Sequence, residues 1–566
     1  MGIQGLLPLL KNATTQCHLS EYKGKSVAVD GYSWLHKATY GCCIELATKQ
    51  PTNKWINYCM GLLEMLLSFN ISVHLVFDGC DLPSKLKTDD GRHAERKKNL
   101  EKGLQMYNDE LARRRSSSNG NGGKHNDRGK GSDDFHKDSR TLLSRAMNVT
   151  PRMAAEFIQA VRKKHPSVNI LVAPYEADAQ LAYLSVNNIV DAIISEDSDT
   201  IPYGCREVLF KLDSRFASCQ RIVLKDVFPV QVRGRGGGYD ASEKGDSHCK
   251  SGTGSGSGAG ADGPSAAGGG SSRAAIKALD LSSFSHHMVL IMCVAAGCDY
   301  LSSVKGFAIK NAYKYVAKTR EVMRLLKTMR LDGLLPVAEA PPPVHTRCET
   351  HPNMTADGES GCGCGGGGGR ILQYEVDFCR AVITFLHQTV FDPVHGCMVP
   401  LYPFPTADGN VDSPAMRCMD SSLIKLSDSC RQLLRNAQGL SVDAPYEFLG
   451  GIHPDAAVSQ GVAAGLLDPT TYQPFNLPPA GGSSMGNRTS IVPRTQIPAG
   501  SNSDLGIFNA WKGTTVNVAK SASVKSWGAS RAASVAIPTT ASSSSSSSSS
   551  TSVDRAGGSP RKFGLS

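Results

Sequence analysis

The sequence predicts an α/β fold, a mostly parallel central sheet flanked by helices. Two observations carry that prediction and a third supports it. Short apolar runs recur, each followed by an acid, as buried parallel strands do when they deliver carboxylates to one sheet edge. Helix-forming stretches alternate with these runs, the order that builds a parallel sheet. Thr150-Pro151 also reads as an N-cap with a proline at the first helical position.

The elements follow in order. Val27-Ala28-Val29 leads to Asp30 in a strand Ser26–Asp30, and a helix opens from Gly31 to Lys37. Asn57–Ser68 is amphipathic through Leu62, Leu63, Met65, Leu66 and Leu67. Ser72–Asp78 is the next strand, and Lys85–Gln105 is charged and helical in propensity. After Thr150, a helix runs through Met153, Phe157, Ile158 and Val161. Asn169–Ala173 precedes Glu176 and Asp178, Asp191–Ser195 precedes Asp197 and Asp199, and Glu207–Lys211 is a fifth strand. The apolar run from Val294 to Cys298 ends at Asp299.

Composition bounds the rest. The chain has 566 residues, 40% apolar and 7% aromatic, with 57 glycines, so part of it lacks the means to bury a core. Low-complexity insertions are expected at 116–138, 234–272 and 341–369, and a disordered tail at 461–566. Ordered segments are then expected at 1–115, 139–233, 273–340 and 370–460. The formal charge of +10 suits a polyanionic partner. Seventeen cysteines include no CxxC pair, and no signal peptide precedes the first strand, which fits reduced thiols in a cytosolic or nuclear protein. Cys362 and Cys364 lie in a glycine run and make a poor metal site. No apolar stretch reaches the length of a membrane span, and Leu6 breaks the myristoylation pattern opened by Gly2.

The acids carry the chemistry. At one sheet edge, Asp30, Asp78, Glu176, Asp178, Asp197, Asp199 and Asp299 would repel each other unless divalent cations lay between them. Several carboxylates on Mg²⁺ point to phosphoryl transfer. Taken singly, Glu176 reads equally as a helix cap, Asp178 as a solvated loop acid, and Asp30 or Asp78 as a turn residue. Asp197-Ser198-Asp199, if extended, turns both acids to one face. An aspartyl phosphatase would want a threonine where Ile201 stands. Lys85, Arg92 and Arg96 share a helix face, which reads either as a solvated surface or as a phosphate-binding face after Asp78. Ser302 to Lys310 reads as a tight turn and a new helix with Lys305, Lys310 and Lys314, either an ordinary helical hairpin or a phosphate cradle.

Met1 to Leu7, Val27 to Asp30, Val76 to Gly79, Tyr175 to Tyr183, Glu196 to Asp199 and Gly297 to Tyr300 resemble the signature blocks of the structure-specific 5′ nucleases, the flap endonuclease and xeroderma-type family. Tyr32 to Lys37, Cys80 to Lys85 and Val390 to Pro393 place the likeness nearest the family's exonuclease branch. The resemblance covers roughly the first 400 residues, less the insertions. It implies a PIN-like core with a helix–two-turn–helix element, and two Mg²⁺ (Mn²⁺ as substitute) on the seven acids. It implies Lys85 and Arg92 as catalytic cations. Gly2, Tyr32, His36, Arg96, Ser303, Lys305, Gly306, Lys310 and Lys314 become DNA contacts, with K⁺ at the two-turn element through Ser303 and the Phe307 carbonyl. Tyr32 and His36 read equally as core residues. Gly306-Phe307-Ala308 and Ala296 depart from the family pattern and weaken the K⁺ expectation, and Glu95 stands where a cation would suit. Ile507-Phe508 lacks the residues of a sliding-clamp peptide.

The implied function is a Mg²⁺-dependent 5′→3′ double-stranded DNA exonuclease with 5′-flap endonuclease activity. The implied setting is a nuclear monomer that works on ends, nicks, gaps and flaps in mismatch repair and end resection, with mismatch-repair proteins as partners and no membrane. The rivals are a junction-cutting flap endonuclease, a non-cleaving DNA-structure binder and an RNA nuclease.

Overall fold

A computed structural model describes residues 2–118, 137–227, 280–336, 371–404, 419–438 and 446–474. Seven strands form the main sheet: β1 Thr14–His18, β2 Ser26–Asp30, β3 Ser72–Phe77, β4 Asn169–Val172, β5 Ala192–Ile194, β6 Glu207–Asp213 and β7 Ser218–Val223. Their spatial order is β1-β7-β6-β5-β2-β3-β4. The five from β6 to β4 are mutually parallel, with Val29 opposite both Leu75 and Ile194. β7 and β1 close one edge antiparallel.

The strand period of two explains why both sheet faces are covered. Val27, Val29, Val73, Leu75, Phe77, Ile170, Val172 and Ile194 point to one face, packed under helices Gly31–Thr39, Lys54–Ser68 and Pro151–Lys164. Ala28, Val76, Leu171, Ile193, Val208 and Phe210 point to the other, under Ala177–Val186, His286–Ala296 and Gln373–His387. Strands apolar on both faces are what parallel crossovers require.

Several boundaries differ from expectation. The charged helix runs from Leu86 to Ser118 and pairs with a helix Lys137–Ala146. Gly103 lets the two approach: a Cβ there would lie 2.8 Å from Leu143 Cδ2. A hairpin of β8 (Thr389–Asp392) and β9 (Cys397–Pro400) follows Gln373–His387. The expected tail from residue 461 starts too early. Val462, Ala463, Ala464 and Pro469 are buried, where Arg162 donates to the Ala464 carbonyl and Cys80 Sγ to that of Pro469. Most of the three insertions, Cys362, Cys364 and Ile507-Phe508 lie outside the described residues. Every cysteine among the described residues is a free thiol. No described helix is long and apolar enough to cross a membrane.

Candidate active site

Parallel register places the ends of β2, β3, β4 and β5 side by side, and a cavity of about 380 Å³ opens there. It is lined by Asp30, Asp78, Glu176, Asp178, Asp197 and Asp299, with Tyr32, His36, Lys85, Arg92 and Arg96 at its walls. Gly2 and Asp199 adjoin it. A Cβ on Gly2 would fall 2.1 Å from Asp197 Oδ1 and 2.6 Å from Asp199 Oδ1, so the residue there must be glycine, with φ +83° besides.

Each acid is fixed by its own local chemistry. Asp30 caps the helix Gly31–Thr39, accepting from Ser33 N–H at 2.9 Å and from the Ser195 hydroxyl at 3.1 Å. Asp78 accepts from Ala177 N–H at 2.7 Å and so caps the next helix from a neighbouring strand. That approach needs Gly79, whose Cβ would meet the Ala173 carbonyl oxygen at 2.0 Å. Glu176 stands at the N-cap position of Ala177–Val186 but makes no cap bond; its side chain meets Lys85, Tyr300 and Gln388 instead. The extended reading of Asp197-Ser198-Asp199 is corrected. The stretch turns into a 3-10 helix at Ser198–Thr200, because Asp197 accepts from Asp199 N–H at 3.0 Å and thereby closes the turn. Asp199 then accepts from Ile3 N–H at 2.9 Å.

The cations sit among the acids. Lys85 bridges Glu176 and Asp299, the latter at 3.0 Å, and Arg92 meets Asp299 at 2.5 Å. Arg96 turns outward to Asn148 at 2.9 Å. Burial, reinforced by Asp78, pushes the Asp30 carboxyl up to about 7. Burial pushes Asp78 up to about 6. Burial and the neighbouring Asp197 push Asp178 and Asp199 well up, and burial raises Asp197 itself. Asp299 differs: burial would raise it, but Lys85 and Arg92 outweigh that and hold it below the usual range. Burial, helped by Arg96 and Arg92, pulls His36 down to about 4, so it is neutral at physiological pH.

These donors fit hard divalent cations. All are carboxylate oxygens, they outnumber the two lysine and arginine partners, and Asp178 Oδ1 is buried with no hydrogen-bond partner. Among the described residues, however, no three side chains close on a single ion as they stand; Lys85 lies between Glu176 and Asp299 instead.

The site does not gather every residue the sequence singled out. Ser303, Lys305, Gly306, Lys310 and Lys314 lie exposed on the turn after Asp299 and the helix Ile309–Thr319, outside the cavity lining. Phe307 is buried, edge-on to Tyr315 at 5.1 Å. Sequence reading missed Asp89 in the cavity wall, Ser195, the buried pair Tyr203 and Gln388, and the half-buried Tyr300. Tyr300 follows Asp299 directly and could have been suspected, whereas nothing marked Gln388.

Comparison with known proteins finds both family models and relatives. A model described as the XPG N-terminal domain matches residues 1–99, and one described as the XPG I-region matches residues 167–233. The chain is 33% identical to exonuclease 1 of Xenopus laevis over 409 residues, 71% of this chain and 41% of that protein. It is 31% identical to exonuclease 1 of Arabidopsis thaliana over 475 residues, 84% of this chain and 45% of that protein. The chain therefore spans less than half the length of either relative. Among solved structures, the catalytic core of Rad2 in complex with DNA substrate aligns at 15% identity, covering 59% of this chain and 74% of that one, with a TM-score of 0.35.

Proposed function

The chain belongs to the XPG-type family of 5′ nucleases, and from that premise we propose that it is a divalent-cation-dependent 5′→3′ exonuclease of double-stranded DNA with 5′-flap endonuclease activity. One observation supports this reading above the others: acids from four adjacent strand ends and from the turn at Asp299 face one cavity that two partly buried cations, Lys85 and Arg92, share.

Asp30, Asp78, Glu176, Asp178, Asp197, Asp199 and Asp299 would hold two Mg²⁺, or Mn²⁺ in its place. When bound, the cations supply a lowered pKa for the attacking water and charge for the leaving oxygen. Lys85 and Arg92 contribute fixed positive charge where the phosphodiester gains negative charge. His36, being neutral, offers a ring face or a hydrogen bond at the mouth rather than charge, beside Tyr32. Arg96 binds phosphate further along the helix. Gly2 lets the N-terminal segment lie on Asp197 and Asp199 without crowding substrate. Lys305, Lys310 and Lys314, with Ser303 and Gly306, hold the duplex backbone, and Ser303 with the Phe307 carbonyl would hold K⁺ at that turn, where it would add positive charge. On this reading the chain divides into nuclease regions at 1–115 and 139–233, a duplex-binding region at 273–340 and a wrapping region at 370–460. The same reading places the protein in the nucleus, acting as a monomer in mismatch repair and end resection beside mismatch-repair proteins.

The test uses one nicked duplex and one 5′-flap duplex, end-labelled, incubated with Mg²⁺ or with EDTA and resolved to single nucleotides. Mono- and short oligonucleotides from the nick, lost in EDTA and in Asp199→Ala, are expected. Products only of flap length would assign a junction endonuclease. DNA binding indifferent to both EDTA and the substitution, without cleavage, would leave only a structure-binding protein.

A further inference from the structure

We infer that Gln388, anchored by Tyr203, is a positioning residue that fixes the direction of the Glu176 carboxylate; this rests on the nuclease reading above. Gln388 lies in the link between Gln373–His387 and β8, and it is fully buried. Its Nε2 donates to Glu176 Oε2 at 3.3 Å, and its Oε1 accepts from the Tyr203 hydroxyl at 2.7 Å. Tyr300 meets the same Glu176 oxygen, while Lys85 takes Oε1. The Tyr203 and Tyr300 hydroxyls also touch each other.

Proton accounting singles out the amide. The two phenols carry one proton each, and three contacts compete for them. Gln388 carries two N–H protons, so it donates to Glu176 in either phenol arrangement. Its orientation is fixed because the Glu176 carboxylate can only accept, so the amide nitrogen faces it and the amide oxygen faces Tyr203. Phe385 holds both rings from the side, its centroid 4.7 Å from Tyr203 and 5.0 Å from Tyr300.

A purely structural role explains the side chain poorly. The backbone of Gln388 already serves the fold, its N–H donating to Thr384 O at 3.2 Å and its carbonyl accepting from Leu401 N–H at 2.9 Å. An apolar residue could fill the same space without the cost of burying an amide. With Oε2 held by the amide and Tyr300, Glu176 presents Oε1 toward Lys85 and the cavity. Groups that orient a metal-binding carboxylate in this way commonly govern affinity about 10–100-fold.

The experiment measures Mn²⁺ binding to the full chain by electron paramagnetic resonance of the free ion, with thermal midpoints recorded in parallel. Gln388→Met, Glu176→Ala and the double variant complete a cycle. Gln388→Met is expected to weaken Mn²⁺ binding about tenfold when Glu176 is present, and by less than about twofold in the Glu176→Ala background. Equal weakening in both backgrounds would overturn the inference, since a general structural defect would not depend on Glu176. So would unchanged affinity in the single variant. If Gln388→Met lowers the thermal midpoint steeply, Tyr203→Phe removes only the anchoring hydroxyl and must show the same dependence on Glu176. If Glu176→Ala itself leaves Mn²⁺ binding untouched, the nuclease reading falls along with this one; if only Gln388→Met does, that reading stands.

Discussion

The acidic cavity and the helix Ile309–Thr319 face the same proposed substrate by opposite means. In the cavity the carboxylates are buried or half-buried and most are tied to a backbone or side-chain donor: Asp30 to Ser33, Asp78 to Ala177, Asp199 to Ile3. On the helix, Lys310 and Lys314 are exposed and four residues apart, held only by the backbone beneath them. Reaction chemistry needs groups fixed to a fraction of an ångström. Electrostatic holding of a duplex needs only charge at the right spacing, and it tolerates mobile side chains.

The largest expected effect falls on the buried side. Asp178→Ala should lower cleavage by ~10³-fold or more, the equivalent of several kcal/mol of transition-state stabilisation, while duplex affinity measured in Ca²⁺ stays within about threefold. A comparable loss of affinity would show that the two regions are not separable.

Lys85→Ala should lower the single-turnover rate by ~10²–10³-fold. It leaves Glu176 and Asp299 without their shared cation, so their repulsion should also make thermal stability more dependent on divalent ions.

On the exposed side, Lys310→Ala with Lys314→Ala should weaken duplex binding similarly on all sequences. It should reduce the slope of log affinity against log salt by about one per lost phosphate contact. The rate at saturating DNA should not move. A fall in that rate would mean the helix positions the scissile bond as well as holding the duplex.

The smallest effect separates the regions by pH. The folded carboxyls of Asp30 and Asp78, at about 7 and about 6, lie above the usual unfolded value. The folded state therefore binds more protons, and stability in EDTA should fall as pH rises from about 4 to about 7. The lowered Asp299 acts oppositely, and only at the acid end of the range. Mg²⁺ should raise the thermal midpoint more at about pH 8 than at about pH 5, since cations displace bound protons. Lysines on the exposed helix should contribute nothing to this profile.

How much of this was legible in the sequence depends on what kind of order each part carries. The four parallel strands under the acids were readable because each is apolar on both faces and leads to its carboxylate directly or within a short turn. β1 was not, since only Cys17 of Thr14–His18 is buried. β7, with Arg221 and two other polar positions partly exposed, likewise lacks a clear apolar run. Asp197 and Asp199 were found but misjudged in conformation, because an aspartate that caps its own turn looks the same on paper as one in a strand. Gln388 left no trace, being a single amide in a short link with no period to betray it. The packing of residues 462–469 escaped notice because part of it rests on backbone carbonyls, which composition does not reveal.

The helix that carries Glu176 and Asp178 is gripped from far along the chain. Gln180 exchanges paired hydrogen bonds with the backbone of Phe391, at 2.8 and 2.7 Å, across 211 residues. Severing that grip would strand a buried N–H and carbonyl at about 1–3 kcal/mol each. During synthesis, a ribosome that has delivered β2 through β7 has already released six of the seven acids but not their buttress. The hydrogen bonds that brace this helix can therefore form only after the hairpin Thr389–Pro400 has been made.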